Sequence, residues 1–332
     1  MRLAPILGRR LLGAAALIAA VLLLNFILIH LAPGDPALTI AGGMGGVTEE
    51  ILRDIRRAYG LDAPLHSQLL LYTERMLSGD LGRSLFYNAP VLDLILERLG
   101  PTVLLVLTAM SVALALGTFL GVLASRRPGG VVAHFVTGVT LAGYSAPAFW
   151  VGILLLLVFS AAIPLFPVSG MYDVRADGAG LPRALDVAHH LVLPAITLAI
   201  VFLAQYSRIA RASMLDVLGA DYIRTARAKG LSDRAVLYRH ALRNAALPVV
   251  TLAGLQFGNM LSGAVLVETV FNWPGLGLLA FESILRRDHP TVLGILFFAT
   301  AMVVVANLLT DIAYRIVDPR IRAGTAATGR PR

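Results

Sequence analysis

Cysteine is absent from this chain, and lysine nearly so. Without cysteine there is no disulfide, no thiolate metal site and no cysteine nucleophile, and the redox compartment stays open. Of the 28 basic residues only Lys229 is a lysine; the rest are arginine. A phosphate-binding P-loop needs G-x-x-x-x-G-K-[ST], its lysine followed by a hydroxyl. Lys229 is followed by Gly230, so the chain has no Walker ATP site of its own. There is no H-E-x-x-H, so a zinc protease lacks its ligand helix, and no G-x-S-x-G for a hydrolase nucleophile. His189-His190 is the one adjacent histidine pair. It reads either as a metal site or as interfacial residues at a membrane border. Charge is scarce as well: 14% of the 332 residues carry it, against about 25% in soluble domains.

What fills the space is hydrophobicity. Apolar residues make up 57% of the chain and the mean hydropathy is +0.77, which marks an integral membrane protein. About 20 apolar residues cross a bilayer as a helix. Six such stretches are present, at roughly 11–31, 102–124, 131–165, 191–205, 248–270 and 292–316. The first follows Arg9-Arg10 and is too long for the usual signal-peptide apolar region, so it reads as a retained helix. Pro147 predicts a kink in the third. The fold class is all-α integral membrane.

Residues 32–100 form a long polar segment. Pro33-Gly34-Asp35-Pro36, the glycines at 42–46 and Gly79-Asp80-Leu81-Gly82 are turn signals. Thr48 predicts an N-cap for a helix through Ala58, with Glu49 and Glu50 in its first turn and Gly60 at its end. A second helix is predicted over 65–77. Residues 91–99 carry a helical apolar stripe suited to the membrane surface. The segment reads as a small lid or as a docking surface for an external partner. Three regions result: 1–100, with the first span and the external segment; 101–318, a five-helix core with a charged loop at about 208–247; and 319–332, a tail.

Arginine placement sets the orientation. One set of loops holds Arg9-Arg10, Arg126-Arg127, the 208–247 stretch and the tail with Arg315, Arg320 and Arg322. The opposite short loops hold Arg175, Arg183, Arg286 and Arg287 among acids. Both termini and the charged stretch are therefore expected in the cytoplasm. The net charge of +8 is explained by topology, with no need for nucleic acid.

Ionisable residues within spans usually mark function. Glu268 falls near the outer end of the fifth span. Asp311 and Arg315 share a helix face near the inner end of the sixth and read as a local ion pair. Neither places a carboxylate at mid-membrane, where an ion-driven carrier would need one. Gln256, Asn259 and Ser262 in the fifth span are uncharged; they read as a translocation path or as interhelical packing.

The most charged run is residues 220–248, ADYIRTARAKGLSDRAVLYRHALRNAALP. It predicts two short helices. The first covers Asp221 to Lys229, with Gly230 in the left-handed position beyond its end. Ser232 caps the second, which reaches about Asn244, and Pro248 opens the next span. Small residues Thr225, Ala226 and Ala228 with a basic rim suit insertion into a groove of another protein; the plainer reading is a solvated loop that sets topology.

Asp221-Tyr222-Ile223-Arg224-Thr225-Ala226-Arg227-Ala228-Lys229-Gly230-Leu231, with His240 to Asn244 and Leu247-Pro248, resembles the cytoplasmic signature loop of ABC-importer permeases. The likeness is to the first permease subunit of the dipeptide, oligopeptide and nickel systems. Pro33 to Pro36, Gly79 to Gly82, Phe271-Asn272-Trp273-Pro274-Gly275-Leu276-Gly277 and Asp318-Pro319-Arg320-Ile321-Arg322 extend it over about residues 9–322. Where the general signature begins Glu-Ala-Ala, this chain reads Arg224-Thr225-Ala226.

The resemblance implies a multi-pass protein of the cytoplasmic membrane that works with a second permease, two ATPase subunits and an extracytoplasmic solute-binding protein. It implies that the chain is not itself an enzyme and holds no cofactor, with ATP and magnesium on the ATPase partners. Residues 221–231 would form the helix that couples to the ATPase. The contrasting reading is a stand-alone ion-driven carrier.

Overall fold

The computed structural model describes residues 3–31, 35, 37, 48–84, 86–173 and 180–317. The glycine turn at 42–46, Arg175 and the tail from residue 318 lie outside these residues, as do the side chains of Asp311 and Arg315. The described chain is mainly helical. Among the described residues, four helices are long and apolar enough to cross a membrane: Leu12–Leu31, Val91–Ser125, Leu181–Leu218 and His289–Leu308. Two bent pairs bring the total to as many as six. The chain divides into two compact units, residues 1–100 with 274–305 and residues 101–273 with 306–332.

In the first unit, α1 (Leu3–Leu31) is followed by α2 (Glu49–Tyr59) and α3 (Leu65–Leu77). Thr48 caps α2 as expected: its Oγ1 accepts from Ile51 N–H. Gly60 closes the helix at φ +60°. Arg56 of α2 is bonded to Asp35, and that guanidinium holds the Asp35 carboxyl below its ordinary value. His30 and Gln68 tie α1 to α3, Nε2 to Oε1 at 2.9 Å.

One element breaks the all-α expectation, a two-residue hairpin of β1 (Arg83–Ser84) and β2 (Ala89–Pro90). It leads directly into α4 (Val91–Ser125). The 91–99 stripe does not lie on a membrane surface. Val91 and Ile95 are fully buried in a core with Leu22, Phe26, Leu279 and Leu293. An amphipathic stripe has the same period whether it faces lipid or protein, and here protein covers it.

Also in this core are α10 (Leu276–Leu285), a short apolar helix that the motif at 271–277 did not reveal, and the first part of α11 (His289–Val317). Buried Asp288, just before α11, accepts from Ser84 Oγ at 2.6 Å and Thr291 Oγ1 at 2.7 Å. Tyr87 O–H donates to Glu282; burial, then that bond, pushes the phenol up to about 12.

The second unit begins at Pro101 inside α4. The helix does not stop there, although Pro101 removes one backbone donor. Two glycines further along the same helix set a close contact: Gly117 and Gly121 lie one turn apart and face α7 (Leu181–Leu218). A Cβ on Gly117 would lie 2.7 Å from Tyr206 Cβ, and one on Gly121 2.5 Å from the Ser207 carbonyl oxygen. The backbones meet with no side chain between them, the packing that small-xxx-small spacing permits. At about 1.5 Å per residue, α4 and α7 both exceed the roughly 30 Å apolar thickness of a bilayer.

The third expected span is not one kinked helix. It is α5 (Val131–Ser145) and α6 (Ala148–Leu156), which continues as a π turn through Ala162. The two arms meet at 103° around Ala146-Pro147. Gly143 lies close to Ile200, and Gly152 close to Phe271 and Thr197, so both arms pack against later helices. The fifth span is longer than expected. A π turn at Ala235–Ala241 runs without interruption into α9 (Leu242–Phe271). Pro248 therefore lies inside the helix, and the second predicted short helix does not end near Asn244. A proline is tolerated in a spanning helix because neighbours re-satisfy the freed carbonyl. The bend comes later, 53° between Gly254 and Gln256.

Candidate functional site

The charged loop begins where α7 ends at Leu218. Ala220 is extended, and α8 (Asp221–Ala228) follows with Asp221 in its first turn, where the helix dipole favours an acid. Its amphipathic sequence explains its seating. Ile223 is fully buried and Ala226 nearly so, packed with Val122, Met214, Val236, Leu237 and Ala241.

Asp221, Arg224, Thr225 and Ala228 are exposed. Arg224 and Asp221 approach to 3.6 Å with side chains 77% and 97% exposed, so the pair is a loose surface contact. Thr225 Oγ1 donates back to the Asp221 carbonyl. Tyr222, half exposed, accepts from Asn244 Nδ2 at 2.8 Å and joins α8 to α9. Ala226 belongs to the anchor and not to the exposed face expected from its size; three residues after Ile223 on a helix of about 3.6 residues per turn, it turns inward with it.

The C-terminus of α8 is a Schellman cap. Leu231 N–H donates to the Ala226 carbonyl and Gly230 N–H to the Arg227 carbonyl. Gly230 sits at φ +78°, and an added Cβ would meet nothing within 4 Å. The glycine is there for the backbone conformation alone. Lys229 and Leu231 flank it on the exposed side. Ser232 Oγ then accepts from Ala235 N–H, the cap expected for the next helix. Beside α8 lies a cleft of about 560 Å³ whose rim carries Arg126, Arg127, Arg227 and Asp233. In the sequence Arg126 and Arg127 mark only topology; the fold brings them to the same cleft as Arg227.

The candidate path residues form part of one network. Gln256 Nε2 is bonded to Gln205 Oε1 of α7, and Asn259 Nδ2 donates to Gln256 Oε1 at 2.6 Å. Asn259 is exposed and Gln256 partly so. Ser262 stands apart, its Oγ donating weakly to the Gly258 carbonyl of its own helix. Gln205 was missed as a site residue; its signal was an amide side chain within an apolar run. Glu268 is fully buried and accepts from Thr102 Oγ1. His189 and His190 turn to different partners, the Leu165 carbonyl and Asp186. Among the described residues no three metal-ligating side chains gather.

Residues 117–323 match the family described as the binding-protein-dependent transport system inner membrane component, and residues 3–106 match its N-terminal counterpart. The chain belongs to this family. The family match covers the charged loop, from the end of α7 through α9. Similar proteins agree over nearly the whole length. The probable peptide ABC transporter permease protein of Sinorhizobium fredii NGR234 is 41% identical over 314 residues, 95% of this chain and 98% of the relative. The dipeptide transport system permease protein of Escherichia coli K12 is 41% identical over 318 residues, 90% and 93% of the two chains. The fold is also that of a solved transporter membrane chain, from an inward-facing form of the MetNI methionine ABC transporter. That likeness has a TM-score of 0.52 at 15% identity, over 68% of this chain and 96% of the other.

Proposed function

We propose that this transport-system component is one of two permease subunits of an ATP-binding-cassette importer for peptides, dipeptides or oligopeptides, or a related small solute such as a nickel chelate. The names of the relatives support the solute class. The observation that carries the mechanism is α8: an eight-residue helix fixed on one face by Ile223 and Ala226 and open on the other at Asp221, Arg224, Thr225 and Ala228. Such a helix suits a cleft on a separate ATPase. When two ATPase subunits close on ATP and magnesium, α8 moves with them and the permease rocks outward, as in alternating access. The chain itself needs no ATP site for this.

Counting each bent pair as one span gives six, with both termini and α8 in the cytoplasm, as the arginine distribution supports. Residues 1–100 then face outside beyond the first span, where a solute-binding protein delivers its load. Residues 101–318 form the core, and 319–332 a cytoplasmic tail. Gln256 and Asn259, joined by Gln205, offer uncharged donors and acceptors to a peptide on a path shared with the second permease.

Co-expression of this chain with its partner subunits, reconstitution in vesicles and assay of peptide uptake tests the reading. Uptake that requires ATP and the solute-binding protein supports it. Uptake that persists without ATP and collapses with an ion gradient would establish the ion-driven carrier instead.

A further inference from the structure

We infer that the groove between α5 and α7 holds an anionic phospholipid, its phosphate on Arg208 and Arg211 and an acyl chain along the groove floor. The groove measures about 360 Å³, and its floor is apolar, with Val136, Leu141, Ala204 and Leu215. Arg208 and Arg211 stand on its wall one turn apart on α7. Neither forms an ion pair with a carboxylate among the described residues. Two uncompensated cations over an apolar floor match one kind of molecule, an anionic headgroup on a hydrocarbon tail.

The guanidinium of Arg211 is already placed. Its Nη1 donates to Thr137 Oγ1 at 2.8 Å and its Nη2 to the Pro128 carbonyl at 3.1 Å. Both acceptors are neutral, so the charge is held in position without being cancelled. Three of its five N–H groups remain for phosphate oxygens, and arginine suits phosphate better than lysine would. Arg208 lies 5.5 Å from the ring centroid of Tyr144, which also lines the groove. The arginine distribution puts this end of α7 at the cytoplasmic border, where anionic lipid is concentrated. Phosphatidylglycerol satisfies both halves of the groove; a zwitterionic lipid brings no net charge to the arginines.

The proposal rests on the span assignment and not on the identity of the solute. The test uses the full chain in its purified complex, in nanodiscs with graded phosphatidylglycerol or phosphatidylcholine, read by native mass spectrometry of retained lipid. Phosphatidylglycerol should be retained preferentially. Arg208→Gln with Arg211→Gln should lower that retention by about 30-fold, roughly fivefold per arginine. In parallel, Leu141 is replaced by a photo-reactive benzoylphenylalanine in the otherwise native chain. A phospholipid adduct supports the proposal even if the arginine variant fails to fold. Equal retention of the two lipids, unchanged retention in the variant, or a cross-link to a second permease helix would overturn it.

Discussion

Thr102 Oγ1 donates a 2.7 Å hydrogen bond to Glu268 Oε1 across 166 residues of sequence. Both side chains are buried, and Trp273 holds the adjoining backbone: its Nε1 donates to the Pro101 carbonyl and its N–H to the Glu268 carbonyl. The start of α4 in this unit is thus clasped to the end of α9. A buried side-chain hydrogen bond contributes about 0.5–1.5 kcal/mol net. Thr102→Val should lower stability by about that amount. Glu268→Gln, which keeps an acceptor, should cost less than Glu268→Ala. Thermal unfolding of the detergent-solubilised variants checks the order.

At Gly230 the penalty for a side chain is conformational, because the surrounding space is open. Left-handed backbone costs most side chains about 1–2 kcal/mol, and asparagine much less. Gly230→Val should reduce ATP-dependent uptake while insertion in the membrane is retained. Gly230→Asn should keep most of it. Equal uptake by the two variants would remove the cap from the coupling mechanism.

The two faces of α8 should respond differently. Ile223→Ala empties a fully buried site and should destabilise by about 2–5 kcal/mol. Ala228→Trp adds bulk on the exposed face and should leave unfolding temperature nearly unchanged while reducing co-purification of the ATPase. If ATPase association survives the tryptophan, the partner does not cover that face.

Gly121 allows a close approach of α4 to α7. Overpacking costs about 1–3 kcal/mol in a core that can yield, but here the obstacle is backbone. Gly121→Val should exceed that range and lower the yield of folded protein; Gly138→Val, where nothing lies within 4 Å, should not.

The Asp35–Arg56 contact gives a pH dependence with a definite sign. The folded-state carboxyl is lowered, chiefly by its bond to Arg56. Its contribution is therefore present above the unfolded value of about 3.9 and lost as pH falls through the lower folded value. Protection of α2 from hydrogen exchange should fall in that acidic window. Asp35→Asn should lower protection at neutral pH and flatten the dependence.

Local signals carried the expectations that held. Thr48 and Gly60 bound α2 because a cap depends on a few neighbouring residues. The same is true of Gly230 and Ser232, both placed as their sequence predicts. The 65–77 helix also ends where expected. What was illegible depends on distant partners. Pro147 announces a break but not its 103° angle, and the partners of the two arms, Ile200 and Phe271 among them, are far away in sequence. Pro248 resembles a helix start, yet the π turn before it keeps the helix intact. Ala226 is small enough for either face, and only its register with Ile223 places it inside. Gln205 gains meaning only once α7 lies beside α9.

From Pro194 to Gly219, α7 contains neither proline nor glycine. This stretch is a strut without a compliant joint, and the backbone contact at Gly117 and Gly121 braces it against lateral give. The only slack between α7 and α8 is Gly219-Ala220, two residues long. Under the proposed coupling to an ATPase, a push received at α8 would pass up α7 as the movement of one stiff rod, with no long loop to relax on the way.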